Sequence, residues 1–237
     1  MDINALPFDA DEMLKGLNGW VAQESPTWDA GAVNGMLDIA SRELAEMGFA
    51  IERIPGSMGL GDTLRATQPT HPKAGEKGVL SAGHMDTVHP VGTLADLPIR
   101  REGDRAYGPG IWDMKSGNYL CLEAIRQLKK AGIETPLPIT VLFTPDEEIG
   151  TPAARGIIEA EASRARAVLI PEPGKTGGGV TSGRYAIARF NLKAIGIPSH
   201  SGARLKEGRS AIRELCRRIE QIEGMTTDDC TFSVGVI

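Results

Sequence analysis

Aromatic side chains make up only 5% of the chain, and it has only four histidines. So sparse an aromatic complement offers no stacking platform for nucleic-acid bases. A formal net charge of −5 supplies no basic face for a phosphate backbone either. Long apolar runs are missing too: stretches such as Leu137 to Phe143 are far too short to cross a bilayer. Met1 to Ala10 has neither the basic nor the apolar region of a secretory signal. Cysteines are few and odd in number, Cys121, Cys216 and Cys230, with no metal-like spacing. They read as buried free thiols in a reducing compartment. The expectation is a cytoplasmic chain with neither nucleic-acid nor membrane partners.

What is present is an ordinary globular composition, 41% hydrophobic and 24% charged over 237 residues. That length can bury one sizeable core, or one core and a small second domain. Periodicity predicts helices over 9–24 and 29–47, with Val33, Leu37, Ala40, Leu44 and Met47 on one face and Gly48 as a left-handed stop. Ser25-Pro26-Thr27 punctuates between them. Short strands follow at 49–54 and 62–67, then a polar loop through Pro69, Pro72 and Gly75. A compact apolar strand over 78–82 runs into His84. A helix over 116–130 points Leu120, Ala124, Ile125 and Leu128 inward. A buried strand at 137–144 precedes Pro145-Asp146-Glu147-Glu148. A helix over 152–161 and a strand over 167–170 lead to Pro171-Glu172-Pro173. This alternation predicts an α/β class with a largely parallel mixed sheet flanked by helices. After Gly183 the pattern changes to a strand at 185–195, a helix at 209–222 and a strand at 231–236. The expected division is therefore 1–183 and 184–237.

The polar residues that follow these strands carry the chemistry, because ligands of open α/β sheets gather beyond the carboxyl ends of the strands. His84 offers an imidazole nitrogen suited to zinc; the plainer reading is a solvent-facing turn residue. Asp86, two residues on, is placed to accept its other N–H. Asp113, in Tyr-Gly-Pro-Gly-Ile-Trp-Asp-Met-Lys, can bridge two cations or instead cap the following helix. Adjacent Glu147 and Glu148 raise each other's pKa unless a cation takes one of them. The other is then free to act as general base; the alternative is an exposed acidic loop. Glu172, its backbone fixed by flanking prolines, is a further ligand or a rigid surface turn. His71 reads as solvated and His89 as lining the cleft. Gly177-Gly178-Gly179 reads as a flexible turn rather than a phosphate cradle. His200, in Pro-Ser-His-Ser-Gly, begins the smaller part at a turn where it can face a substrate.

Taken together, and in order between Val79 and Gly202, these strings resemble the co-catalytic zinc amidohydrolase and exopeptidase family. That family includes glutamate carboxypeptidase, succinyl-diaminopimelate desuccinylase and aminoacylase. His-Met-Asp-Thr-Val with the downstream Gly-Thr is most similar to the glutamate carboxypeptidase branch. The resemblance implies a zinc held by His84, Asp113 and Glu172, and a second shared by Asp113 and Glu148, with cobalt or manganese as substitutes. It implies Glu147 as base and proton shuttle, Asp86 as the group orienting His84, and His200 as a catalytic residue reaching the substrate. It further implies a ferredoxin-like lid, begun by 184–237, through which the protein forms a homodimer. The substrate class is a small peptide or N-acyl amino acid cleaved at an amide bond next to a free carboxylate.

The family's chains are longer and deliver a distal histidine to the second zinc, whereas none of the histidines here follows His200. The expectation is an amino-terminal portion that binds one zinc well and the second weakly. The rival readings are a non-catalytic metal-binding or dimerisation fragment and a di-metal phosphoesterase, the latter lacking any basic phosphate clamp.

Overall fold

The computed structural model describes residues 6–175, 177–184 and 186–236, which divide into two compact units, Met1–Val180 and Thr181–Ile237. In the first unit, α1 (Ala10–Ala22) starts where the Asp9 carboxylate accepts from the backbone N–H groups of Asp11 and Glu12. Asp29 does the same for α2 (Ala30–Glu46) through Ala32. That helix stops at Gly48, whose φ of +80° a side-chain-bearing residue adopts only under strain.

Strands β1 (Ala50–Ile54), β2 (Thr63–Thr67) and β3 (Val79–His84) follow, then β4 (Arg100–Glu102) and β5 (Arg105–Tyr107), α3 (Ser116–Lys130), β6 (Ile139–Thr144), α4 (Arg155–Arg164) and β7 (Ala167–Leu169). β4 and β5 form a separate hairpin that periodicity does not reveal. The main sheet has the order β1-β2-β6-β3-β7. β1–β2 and β2–β6 pair antiparallel, whereas β6–β3 and β3–β7 pair parallel. The sheet is mixed, as expected, with its parallel part confined to the three strands that lead into the candidate site.

Side-chain alternation along β6 divides the core between the two faces. Val141 and Phe143 join Leu64, Ala66 and the buried faces of α1, α2 and α3. Leu142 instead joins Leu80 and Ala82 against Ile157, Ile158 and Ala162 of α4. Trp20 is the hub of the larger cluster. Its ring meets Tyr119 edge-on at 5.4 Å and Phe143 at 6.3 Å, and its indole N–H donates to Glu43 Oε1 at 2.7 Å.

Several expectations need correction. Of the expected inward face of α3, Ile125 is buried but Leu120 is 53% exposed; Asn118, Tyr119 and Leu122 are buried alongside Ile125. The hydrophobic pattern misled because the polar Asn118 is buried here, its amide donating to the His84 carbonyl on β3. Cys216 and Cys230 are exposed rather than buried, although all three thiols are free. His71 is tied down, its Nε2 lying 2.9 Å from the Thr135 carbonyl while its Nδ1 accepts from Lys73 N–H.

The second unit contains α5 (Ala211–Glu223), capped by Ser210, and one isolated backbone bridge between Ile197 and Arg209. The strands expected at 185–195 and 231–236 are absent from 186–195 and 231–236; Tyr185 and Ile237 lie outside the described residues. A strand exists only in a paired ladder, and among the described residues nothing pairs with these segments. The ferredoxin-like β-α-β run is therefore not formed there. No helix among the described residues is long and apolar enough to cross a membrane.

Replacing Trp20 with alanine removes the hub between α1 and the sheet and one of the hydrogen bonds to the Glu43 carboxylate, which keeps its ion pair with Arg126. The expected loss is about 3–5 kcal/mol, the usual range for a large buried aromatic, measured by urea unfolding.

Candidate metal centre

β3, β6 and β7 run parallel, so their carboxyl ends open on one edge. β3 ends at His84, β6 at Thr144 just before Asp146-Glu147-Glu148, and β7 at Leu169 just before Pro171-Glu172. Residues almost ninety positions apart in sequence therefore converge. Asp113 comes from the turn that opens α3, whose glycine-rich approach includes Gly110 at φ +66°; the Asp113–Met114 peptide is cis. Asp113 does not act as a helix cap: α3 begins after Lys115, with no side-chain cap bond.

The imidazole of His84 is buried, and its Nε2 faces three carboxylates. Asp113 Oδ1 lies at 3.1 Å, Glu172 Oε1 at 3.8 Å and Glu147 Oε2 at 3.9 Å. Its other nitrogen, Nδ1, is 2.9 Å from the Asp86 carbonyl and 3.3 Å from Asp86 Oδ1. Burial opposes a charge on this ring. The hydrogen bond and charge of Asp86, helped by Glu172 and Glu147, outweigh it and raise the pKa to about 9. Glu172 is pushed up to about 7, first by burial and then by Asp113 and Glu147, against the opposing pull of His84. Glu148 is also raised, by burial first and then by Asp113, Asp86 and Glu147, again against His84.

One ligand atom each from His84, Asp113 and Glu172 lies within 4.8 Å of the other two. Donors about 2.0–2.1 Å from a tetrahedral ion sit about 3.3 Å apart, and the separations of 3.1 and 3.8 Å straddle that value. The donor set is one imidazole with hard carboxylate oxygens, and its surplus negative charge is what a divalent cation neutralises. The residues fit a metal ion. Glu148 stands outside this triad, and Glu147 borders it with its side chain half exposed.

Asp86 has a wider role than its spacing from His84 suggests. Fully buried, it accepts from Thr27 Oγ1 at 2.7 Å and from the backbone N–H groups of Glu147 and Glu148 at 3.2 and 3.3 Å. Ser25 Oγ donates to the Met85 carbonyl at 2.7 Å, and Pro26 bridges Thr87. The punctuating Ser25–Thr27 link is therefore part of the site's support. Its signal in the sequence is slight, two hydroxyl residues around a proline. Asp146 holds the next turn, its Oδ2 accepting from Ala153 and Ala154 N–H. The buried Lys115 ammonium donates to the Trp20 and Gln23 carbonyls at the end of α1. Burial lowers its pKa to about 8 against the attraction of Glu24.

Among the other candidates, His89 is outside the ligand triad. His200 lies in the second unit, where its Nδ1 accepts from Gly202 and Ala203 N–H in a local turn. Gly177 and Gly178 adopt φ of +83° and +77° in a turn closed by a Lys175–Gly179 bridge.

The chain is 37% identical over 204 residues to carboxypeptidase G2 of Pseudomonas sp. (strain RS-16), covering 85% of this chain and 48% of that protein. It is 30% identical over 185 residues to the succinyl-diaminopimelate desuccinylase of Acidovorax ebreus, covering 70% of this chain and 47% of that one. The chain thus spans about half the length of the curated relatives it matches. Among solved structures, a tripeptidase from Staphylococcus aureus superposes with a TM-score of 0.65 at 16% identity, over 91% of this chain and 57% of that one. Aminopeptidase PepT from Bacillus cereus gives 0.62 at 19%, over 90% and 57%. These structural likenesses show the shared mixed α/β fold. The family model described as Peptidase family M20/M25/M40 matches residues 80–236, the span that carries His84, Asp113, Glu147, Glu148 and Glu172, and the chain belongs to that family.

Proposed function

We propose that this chain carries the metal-binding half of a hydrolase that cleaves an amide bond next to a free carboxylate. The substrates would be small peptides or N-acyl amino acids. The observation that carries this reading is the His84 Nε2 facing Asp113, Glu172 and Glu147 within 3.9 Å. A bound divalent cation supplies Lewis-acid polarisation of the scissile carbonyl and lowers the pKa of water beside it. His84, Asp113 and Glu172 hold that cation, and Asp86 keeps the imidazole in the tautomer that presents Nε2. Glu147, bordering the triad but half exposed, takes a proton from the attacking water and returns it to the leaving amine. The names of the two relatives above, a carboxypeptidase and a desuccinylase, support a substrate with a carboxylate beside the cleaved bond.

Zinc as the cation, a second ion between Asp113 and Glu148, and His200 as a substrate contact are finer parts of the same proposal. So are a 1–183 catalytic part with a 184–237 lid part, a homodimer through that lid, and a cytoplasmic setting.

Glu147→Gln keeps the shape of the side chain and removes the base. Hydrolysis of C-terminal glutamyl peptides and N-acyl amino acids, assayed with added zinc or cobalt, is expected to fall about 10²–10⁴-fold with metal content unchanged. Turnover equal to wild type sinks the assignment. A metal-loaded wild type inert toward both substrate classes favours the non-catalytic fragment instead.

Metal uptake is expected to be proton-linked. A metal ligand must be deprotonated, and metal-free His84 titrates near pH 9. Affinity should therefore rise with pH up to about 9, by about tenfold per unit. Below about pH 7 the Glu172 carboxyl adds a second proton and steepens the slope. Calorimetric titration of zinc in buffers of different ionisation enthalpy counts the released protons; release of none at pH 8 contradicts the expectation.

A further inference from the structure

We infer that the turn from Met114 to Asn118 stands in for a missing stretch of strand beside His84, and that Asn118 is a positioning residue fixing that ligand against Asp113. The inference deepens the metal-site reading above and rests on it.

The argument begins with the ladder. Residues of β3 alternate in the direction of their backbone groups. Val79 N–H and Met85 N–H bond to the Pro138 and Thr144 carbonyls, toward β6, while the Gly78 carbonyl accepts from Arg166 N–H on the β7 side. Even-numbered residues therefore present N–H and C=O toward β7. Pairing with β7 extends only to Ser81↔Leu169, whereas pairing with β6 continues to His84↔Thr144. The two backbone groups of His84 thus point at a place where no strand runs, and buried groups of this kind need partners.

Both partners come from one turn. His84 N–H donates to Met114 Sδ at 3.3 Å, and the His84 carbonyl accepts from Asn118 Nδ2 at 2.7 Å. Asp113 immediately precedes that turn, so the same few residues supply the second ligand and satisfy the backbone of the first. Two glycines make the approach possible. A Cβ on Gly83 would lie 2.0 Å from Asn118 Oδ1, and a Cβ on Gly117 would lie 1.7 Å from the Pro171 carbonyl, next to Glu172. All three ligand-bearing segments therefore meet this turn.

The amide itself points to a positioning role. Asn118 is completely buried, and its Oδ1 has no hydrogen-bond partner. A lone buried acceptor is costly. What the amide adds, where an apolar side chain would leave the carbonyl without a partner, is the donor to His84.

The test compares the full wild-type chain with Asn118→Leu and with Leu44→Ala, a core-destabilised control in α2 remote from the turn. Cobalt(II) is titrated against a chromophoric chelator, its visible absorption is recorded, and thermal unfolding is followed without metal. Asn118→Leu should weaken cobalt binding about 10–100-fold and alter the cobalt absorption bands, as loss of a group supporting a ligand does. Leu44→Ala should lower the melting temperature while affinity stays within about twofold, as expected for distant sites. Gly83→Ala, which crowds the same amide, should act like Asn118→Leu and serves if the latter does not fold. In the wild type, NMR should find the Asn118 side-chain amide protons protected from solvent exchange. Wild-type affinity and spectrum in either variant, rapid exchange of that amide, or an equal loss of affinity in Leu44→Ala overturns the positioning role and leaves the metal reading standing. Wild-type cobalt binding indifferent to His84→Ala removes both.

Discussion

The carboxylates gathered at the end of β3 repel one another, and the surrounding structure holds them together in spite of it. Burial raises the pKa of these carboxyls and the neighbouring like charges add to the effect, which is why Glu172 rises to about 7 and Glu148 moves the same way. Without a metal, the positive charge that opposes the rise at Glu172 is the His84 imidazolium, whose own pKa is driven to about 9. Proton and metal ion are thus alternative occupants of one excess of negative potential. The parallel strands set the framework, since their carboxyl ends share one edge and the loops that follow have nowhere else to go.

Asp86 connects that edge into a unit. A buried carboxylate is tolerated only when its oxygens are paired, and here each has more than one partner. His84, the Thr27 hydroxyl and the N–H groups of Glu147 and Glu148 all converge on it. The ligand and the proposed base therefore share a single anchor, so a displacement of the imidazole is felt at Glu147 through one side chain. The α1–α2 link takes part as well: the Ser25 hydroxyl holds the Met85 carbonyl and the Thr27 hydroxyl holds Asp86. Two helices whose apolar faces build the larger core are thereby tied to the chemistry.

Much of this was legible in the sequence because it rests on local rules. Asp9 and Asp29 start helices, Gly48 ends one, and apolar runs stopping at His84, Thr144 and Leu169 mark strands whose trailing residues are polar. His84 and Glu172 could be named from that placement and Asp113 from its glycine-rich turn, and the structure brings the three together. What periodicity misses is long-range pairing. The β4–β5 hairpin consists of two three-residue strands, too short to show alternation. Asn118 reads as an unremarkable polar residue near a helix start, and Thr27 as punctuation, because their partners lie 34 and 59 positions away. The alternation at 186–195 is real, yet Ile187 and Phe190 are exposed and no ladder forms among the described residues. Alternation is a property of one segment, and a strand is a property of two.

The shortness of β7 ties fold to site. α3 packs on the face of the larger core and α4 on the opposite face, so the two crossovers leave β3 between β6 and β7, the arrangement that opens a crevice at a central strand's end. β7 ends at Leu169, and the next residues but one are Pro171-Glu172-Pro173; a proline has no N–H to extend a ladder. Had β7 continued, its backbone would have paired with His84 and occupied the position that Met114 and Asn118 now fill. Asp113 could not then approach the imidazole, and Glu172 would be drawn into the sheet. The prolines thus act twice, ending a strand so that a helix can reach the sheet edge and holding a carboxylate out of the ladder where a cation can be shared.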